Sequence, residues 1–281
     1  MINTHITFIG GGNMGRALIK GLLASGLSAQ QVTVIEANLD TAKALEADFQ
    51  INTLPGIEAV NLDPKRNNIV VMAIKPQDFS VVADTLRPKL KQVTDIAPLV
   101  LSIAAGIRLA DMSRWLDHAC CVRAMPNTPA LIGKGITGLF ADQSVNQESR
   151  ALAQAVCEAV GQTVWVSDET LMDAVTAVSG SGPAYVFAFL EAMQASGEKL
   201  GLDAQTSRKL AYATIEGAAQ LALNSSESAS ILRERVTSKG GTTAAALQVL
   251  QEQHWQSILE QAIAAANQRG KVMGDELGNA S

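Results

Sequence analysis

Aromatic residues are scarce, at only 4% of the chain. With hydrophobic residues at 47%, the core must therefore be aliphatic, and the alanine runs of the second half predict closely packed helices. Cysteine is rarer still. Cys120, Cys121 and Cys157 show neither C-x-x-C nor a His/Cys spacing, so no disulfide and no metal site are expected. Buried thiols are the simpler reading. Charged residues are only 17%, net charge is −5, and no basic block occurs, which argues against nucleic acid as a partner. Long apolar runs are missing too, so no membrane span is expected. The start, "MINTHITFIGGG", has no basic n-region and runs straight into a strand-like segment; no signal peptide is read and a cytoplasmic location is the default.

What is present is alternation. "HITFIG", "QVTVIEA", "NNIVVMAIKP", "PLVLSIAA", "ACCVRAMP", "TGLFA" and "TVWV" read as strands, separated by helical stretches such as "NMGRALIKGLLASG", "TAKALEADF" and "LADMSRWL". That order predicts a doubly wound, mainly parallel α/β sheet. The continuous apolar strands fit a sheet covered on both faces. After "TVWV" no further strand is evident. The expected organisation is a dinucleotide-binding Rossmann domain over residues 1–165, followed by an all-helical substrate-binding and dimerisation domain over 166–281. In the second part, "AYVFAFLEAMQASGEKLG" is apolar nearly all round and should be buried on several sides. The next helix carries Leu210, Thr214, Ala218 and Leu221 on one stripe. A final helix is expected from about Thr243 to Arg269, with Leu247, Leu250 and Ile258 inward. Helices this apolar predict burial against a second copy of the chain, at least a dimer.

Two glycine-rich loops each precede a helix. In "FIGGGNMG", Gly10, Gly12 and Gly15 give G-x-G-x-x-G directly after a strand. Gly10 suits the tight turn, Gly12 the close approach of a pyrophosphate, and Gly15 the packing of helix on strand. The helix start then presents N–H groups to phosphate. The second strand ends at Glu36, a carboxylate placed to hold a ribose 2′-hydroxyl and so favour NADH. Asn38, two residues on, is neutral and suited to a 2′-phosphate. Lys75 and Pro76 lie just past the third strong strand, and the two prolines of "RAMPNTPA" stiffen the loop around Asn127 and Thr128. The second loop, "VTSKGGTTAAAL", offers Ser238, Thr242 and Thr243 hydroxyls and, at Gly240 and Gly241, bare backbone. It follows no strand and lacks P-loop spacing. Two readings stand: a helix-start cradle for a small anion such as a carboxylate, or an ordinary N-cap by Thr242 or Thr243.

The ordered set "FIGGGNMGRAL", "AIKPQ", "SIAAGI", "RAMPNTPA", "SGSGPAY" and "VTSKGGTTAAAL" resembles pyrroline-5-carboxylate reductase over almost the whole chain. The resemblance implies reduction of pyrroline-5-carboxylate to L-proline with NADP(H), NAD(H) remaining open as the alternative. It also implies a Rossmann domain joined to an interlocked helical dimer that often assembles into decamers. Cofactor contacts are implied at Gly10, Gly11, Gly12, Asn13, Met14, Gly15, Ala73, Ile74, Lys75, Pro76, Ile103, Ala104 and Ala105, beside the Glu36 and Asn38 read from the strand end. Substrate contacts are implied at Glu169, Ser238, Gly240, Gly241, Thr242 and Thr243, with the Thr243 hydroxyl as the catalytic group on the ring nitrogen. Two positions depart from the pattern: Lys239 stands where the family commonly has proline, and Leu39 follows Asn38 where many relatives carry arginine. The rival readings are a related imine or β-hydroxy-acid reductase, which would want a catalytic lysine that Lys199 and Lys209 do not match, and a dinucleotide sensor without turnover.

Overall fold

The computed structural model describes residues 3–93 and 95–279. Its first part is an eight-stranded sheet in the order β3-β2-β1-β4-β5-β6-β7-β8. The strands are β1 (Thr4–Ile9), β2 (Val32–Ile35), β3 (Asn52–Leu54), β4 (Asn67–Met72), β5 (Leu99–Ser102), β6 (Cys121–Met125), β7 (Gly135–Phe140) and β8 (Gly161–Trp165). All pairings are parallel except β6 with β7, where Arg123 lies opposite Phe140. The connecting helices are α1 (Asn13–Ala24), α2 (Leu39–Phe49), α3 (Phe79–Lys91), α4 (Leu109–Leu116) and α5 (Gln147–Glu158).

Strand periodicity divides the core in two. On β1, Ile6 and Phe8 face one layer with Leu18 and Leu22 of α1; on β4, Ile69 and Val71 join them. Ile9, Val70 and Met72 face the opposite layer with Phe79 and Leu86 of α3 and Met112 and Trp115 of α4. Successive residues of a strand point to opposite faces, so only a continuously apolar run can feed both layers.

The chain order reverses between β1 and β4, because β2 and β4 flank β1 on its two sides. Ligand crevices of open α/β sheets form outside the carboxyl ends of strands at such a point. Here those ends are tied together: Gly10 N–H donates to Ile35 O at 2.9 Å and Ala73 N–H to Ile9 O at 2.9 Å.

From Ser167 onward, no strand occurs among the described residues. The helices are α6 (Leu171–Val175), a π-helical turn at Thr176–Gly180, α7 (Gly182–Lys199), α8 (Ala204–Leu223), α9 (Ala229–Arg235), α10 (Thr242–Glu252) and α11 (Trp255–Asn279). The change from strand to helix thus falls where the sequence pattern changes. The compact units divide later. One holds the residues up to Ser181 together with those from Ala266 onward; the other holds Gly182–Ala265. Residues 166–181 stay with the sheet because they pack on it: a Cβ on Gly138 of β7 would lie 2.4 Å from Val175.

Three expectations for the helical part are corrected. The single final helix is two, since His254 takes a left-handed φ of 53° and ends the run between α10 and α11. α7 is not enclosed by its own chain: Leu190 is its one buried residue, while Phe187 and Phe189 are 58% and 52% exposed. Leu210, Leu221, Leu250 and Ile258 are exposed as well, and Leu247 is only half-buried. Within this unit α7 and α8 approach closely at Gly197, where a Cβ would lie 2.7 Å from Ser207 Oγ. Among the described residues these outer apolar faces stand exposed.

Candidate functional site

The glycines of the first loop separate by steric role. Gly10 has φ +97°, and a Cβ there would sit 2.4 Å from Ala73 O. Gly15 could not carry a side chain either, its Cβ falling 2.8 Å from Gly10 O. Gly12 differs: a Cβ would meet nothing within 4 Å. The space over Gly12 is open, and Gly12 is the N-cap of α1 with no side-chain capping bond. The first-turn N–H groups of α1 therefore face free volume, the arrangement that receives phosphate at a helix start. A cleft of about 640 Å³ opens beside it, lined by Gly10, Gly12, Glu36, Ala73, Ile74 and Lys75 among others. These residues fit a dinucleotide in shape and chemistry.

Glu36 braces this cleft. Its Oε2 accepts from Gly11 N–H at 2.9 Å and its Oε1 from Asn38 N–H at 2.8 Å. Asn38 in turn caps α2 by accepting from Thr41 N–H at 2.9 Å, which leaves its own amide group as a donor. Asn13 is exposed and Met14 half-buried in the first turn of α1. Lys75 is exposed and Pro76 opens a 3-10 turn. Past β5, Ile103 N–H donates to Met72 O at 3.2 Å and Ala104 N–H to Ser102 Oγ at 3.2 Å, fixing the backbone just ahead of Ala105.

Glu169 lies in the sheet unit with both of its contacts inside that unit. Its Oε1 accepts from Leu109 N–H, at the start of α4, at 2.6 Å and from Arg123 Nη1 at 2.9 Å. Arg123 is only 5% exposed, and Asp173 Oδ1 stands 3.9 Å from its Nη2. A buried arginine requires such partners. Arg123 stands within the apolar strand "ACCVRAMP" as a charge in need of a carboxylate, but nothing in the spacing of the sequence points to Glu169 and Asp173 as its partners. Asn127, from the proline-stiffened loop, is a second structural clasp: its Nδ2 donates to Ser179 O at 3.1 Å and its Oδ1 accepts from Ile136 N–H at 3.0 Å.

The second glycine loop lies in the other unit. Gly240 has φ +72°. Gly241, not Thr242 or Thr243, is the N-cap of α10, and no side chain caps it. Gly241 N–H donates back to Ser238 O at 3.0 Å, and a Cβ there would fall 2.4 Å from Ser238 Oγ. The loop is thus a tight turn that brings Ser238, Gly240, Gly241, Thr242 and Thr243 to one helix start. Ser238, Lys239 and Thr242 are exposed and Thr243 is half-buried. The N-cap reading for the threonines is set aside by this geometry.

None of the three histidines belongs to either loop. His5 Nε2 lies 3.0 Å from Thr33 Oγ1, and burial with the nearby Arg66 guanidinium holds its pKa below the usual value. His118 donates to Pro98 O at 2.6 Å, and burial outweighs that bond and depresses its pKa too. Cys121 and Cys157 are buried free thiols pushed up to about 12 by desolvation.

Comparison with known proteins gives a consistent result. The family model described as pyrroline-5-carboxylate reductase dimerisation matches residues 169–273, and one described as NADP oxidoreductase coenzyme F420-dependent matches residues 5–106. The chain is 40% identical over 279 residues to the pyrroline-5-carboxylate reductase of Pseudomonas aeruginosa, covering 99% of this chain and 100% of that protein. It is 43% identical over 270 residues to that of Haemophilus influenzae, covering 95% and 97% respectively. Among solved structures, a pyrroline-5-carboxylate reductase from Coxiella burnetii superposes with a TM-score of 0.89 at 37% identity, over 96% of this chain and 98% of that one. A Plasmodium falciparum pyrroline carboxylate reductase with NADP bound gives 0.83 at 27%, over 98% and 99%.

Proposed function

The chain belongs to the pyrroline-5-carboxylate reductase family; it reduces 1-pyrroline-5-carboxylate to L-proline with a reduced nicotinamide cofactor, and we propose how its residues divide that work. The observation that carries the division is that α1 and α10 each begin on a glycine that no side chain caps. Each start offers unsatisfied N–H groups to an anion. The first receives the cofactor's pyrophosphate, with Gly11, Asn13, Met14 and Gly15 forming its floor and the residues Ala73, Ile74, Lys75, Pro76, Ile103, Ala104 and Ala105 flanking it. The second receives the substrate carboxylate through the first-turn N–H groups of Thr242 and Thr243 and the Ser238 hydroxyl, with Gly240 and Gly241 shaping the turn that exposes them.

When bound, the cofactor supplies a hydride to the imine carbon. The chain's part is to orient the ring and to manage one proton. The Thr243 hydroxyl, in the first turn of α10, hydrogen-bonds the ring nitrogen and relays to it a proton from solvent water, regaining its own as it does so. Lys239 adds positive potential beside the carboxylate. Glu169 enters as a substrate neighbour, though its bonds to Leu109 and Arg123 make local stability the first property it controls.

NADP(H) is the proposed principal cofactor, with NAD(H) as a working substitute. Asn38 keeps a free amide donor for a 2′-phosphate, while the Glu36 carboxylate at the end of β2 resists that charge. The dimer is the assembly that covers the exposed faces of α7, α8 and α10. A decamer of five such dimers and a cytoplasmic location complete the reading; the described residues contain no helix long and apolar enough to cross a membrane. The test is NADH and NADPH oxidation followed by absorbance, in parallel, with pyrroline-5-carboxylate as sole acceptor. Oxidation with both, faster with NADPH, is expected; no oxidation with either overturns the assignment. Light scattering of the eluted protein distinguishes dimer from decamer.

A further inference from the structure

We propose that the carboxyl-terminal part of α11 positions the cofactor loop at residues 103–105, with Met273 and Asp275 as positioning residues. The inference rests on the reading of that loop as a cofactor contact. It starts from Gly106, which closes the loop with a left-handed φ of +79°. A Cβ at Gly106 would lie 3.1 Å from Leu277 Cδ1 and 3.3 Å from Met273 Cε. The turn is therefore roofed by two side chains from the far end of the sequence. Beneath, the loop hangs from the sheet by the bonds of Ile103 to Met72 and of Ala104 to Ser102. Its position is set from two sides, and only one of them belongs to the sheet.

α11 comes this near because its facing side carries almost no side chains. Gly270, Gly274 and Gly278 recur at four-residue spacing, which places them on one helix face. A Cβ on Gly274 would lie 3.0 Å from Arg108 Nε, one on Gly278 2.7 Å from Asp111 Oδ2, and one on Gly270 3.2 Å from Asp173 Oδ1. Glycine is a weak helix former, so a helix that uses three here relies on its docking contacts. Those contacts are polar and specific. Arg108, the N-cap of α4 and two residues past Gly106, donates to Asp275 Oδ1 at 2.7 Å and to Lys271 O at 3.3 Å. Arg114 donates to Gly278 O at 3.2 Å, a favourable cation at a helix carboxyl end. One helix thus clamps both ends of the segment that runs from the cofactor loop into α4.

The experiment is a fluorescence titration of the full-length dimer with NADPH, alongside steady-state kinetics. Met273→Ala and Asp275→Ala are expected to raise the NADPH Kd by about 3–30-fold, the range of coupling through a packed contact. The KM for pyrroline-5-carboxylate and kcat at saturating NADPH stay within about twofold, and Met273→Leu restores the Kd. A lowered Tm with unchanged NADPH Kd in both alanine variants overturns the inference. Ala105→Asp, within the loop itself, separates the two readings. If it weakens NADPH while the α11 variants do not, the positioning role alone fails. If it binds NADPH as wild type does, the loop is no cofactor contact and the inference falls with it.

Discussion

Replacing Glu169 with alanine removes two bonds at once. The first is the charge-assisted bond from Leu109 N–H at 2.6 Å, which caps α4; bonds to charged groups contribute about 1.5–3 kcal/mol. The second is the pair with Arg123 at 2.9 Å, whose guanidinium is 6% exposed. Breaking a buried pair by removing one partner costs about 3–5 kcal/mol, because the remaining charge is left without compensation. Two facts pull the total below the simple sum of about 4.5–8 kcal/mol. Glu169 keeps 26% of its side chain exposed, and Asp173 stands ready at 3.9 Å to take over part of the Arg123 charge. Glu169→Ala is thus expected to lose about 3–4 kcal/mol of unfolding free energy, and Glu169→Gln about 1–2, since the amide oxygen still accepts. Urea denaturation at one fixed protomer concentration measures both, because dimer stability moves with concentration. A Glu169→Ala variant within about 1 kcal/mol of wild type refutes the bracing argument. If that variant instead raised the substrate KM at full stability, Glu169 would belong to the substrate and not to α4.

Thr243→Ala should lower kcat/KM by about 1–3 kcal/mol in transition-state terms, read from initial rates; wild-type turnover would remove the threonine from the mechanism. Gly12→Ser keeps a good N-cap and enters open space, so Tm should hold while the NADPH Kd rises about tenfold or more; an unchanged Kd would place the pyrophosphate elsewhere. Gly10→Ala meets both a left-handed φ and the Ala73 carbonyl, so it should cost about 1–3 kcal/mol of stability in urea melts. Glu36→Gln should raise the NADPH-to-NADH ratio of kcat/KM about tenfold, the worth of one charge facing a phosphate a few ångströms away in near-aqueous dielectric; no change would show Glu36 to be a loop brace alone. His5 and His118 have folded pKa values depressed below 6.5. The unfolded chain then binds protons first on acidification, so stability is complete above that value and declines as pH falls below it. Urea midpoints at pH 7.5 and pH 5 should show the decline, and His118→Gln should flatten it.

Much of the architecture was legible because local pattern and tertiary environment agree. The run Ile69-Val70-Val71-Met72 could only be a strand covered on both faces, and it is buried throughout. β3 escaped notice because an edge strand of three part-exposed residues, Asn52–Leu54, carries no such run. The break at His254 carried no glycine or proline to announce it, since a left-handed histidine looks like any helix residue in sequence. The apolarity of α7 was plain, but apolarity alone does not say whether the cover comes from the same chain or another. Within the candidate site, the glycines were readable because each has one steric reason. The clamp on Gly106 was not, because Met273 and Leu277 are ordinary helix residues until the fold brings them there.

The sheet unit is discontinuous in sequence: residues 182–265 intervene before its last contribution arrives. During synthesis, β1 to β8 leave the ribosome first and can pair, since the last strand ends at Trp165. The roof over Gly106 is then still unmade. Domains fold as they emerge, yet this one waits for residues 266–279 to complete a loop encoded in its first half. A nascent chain that has not yet released residues 266–279 would hold a formed sheet with the Gly106 turn still open, so this unit is finished only after the intervening residues 182–265 have been made.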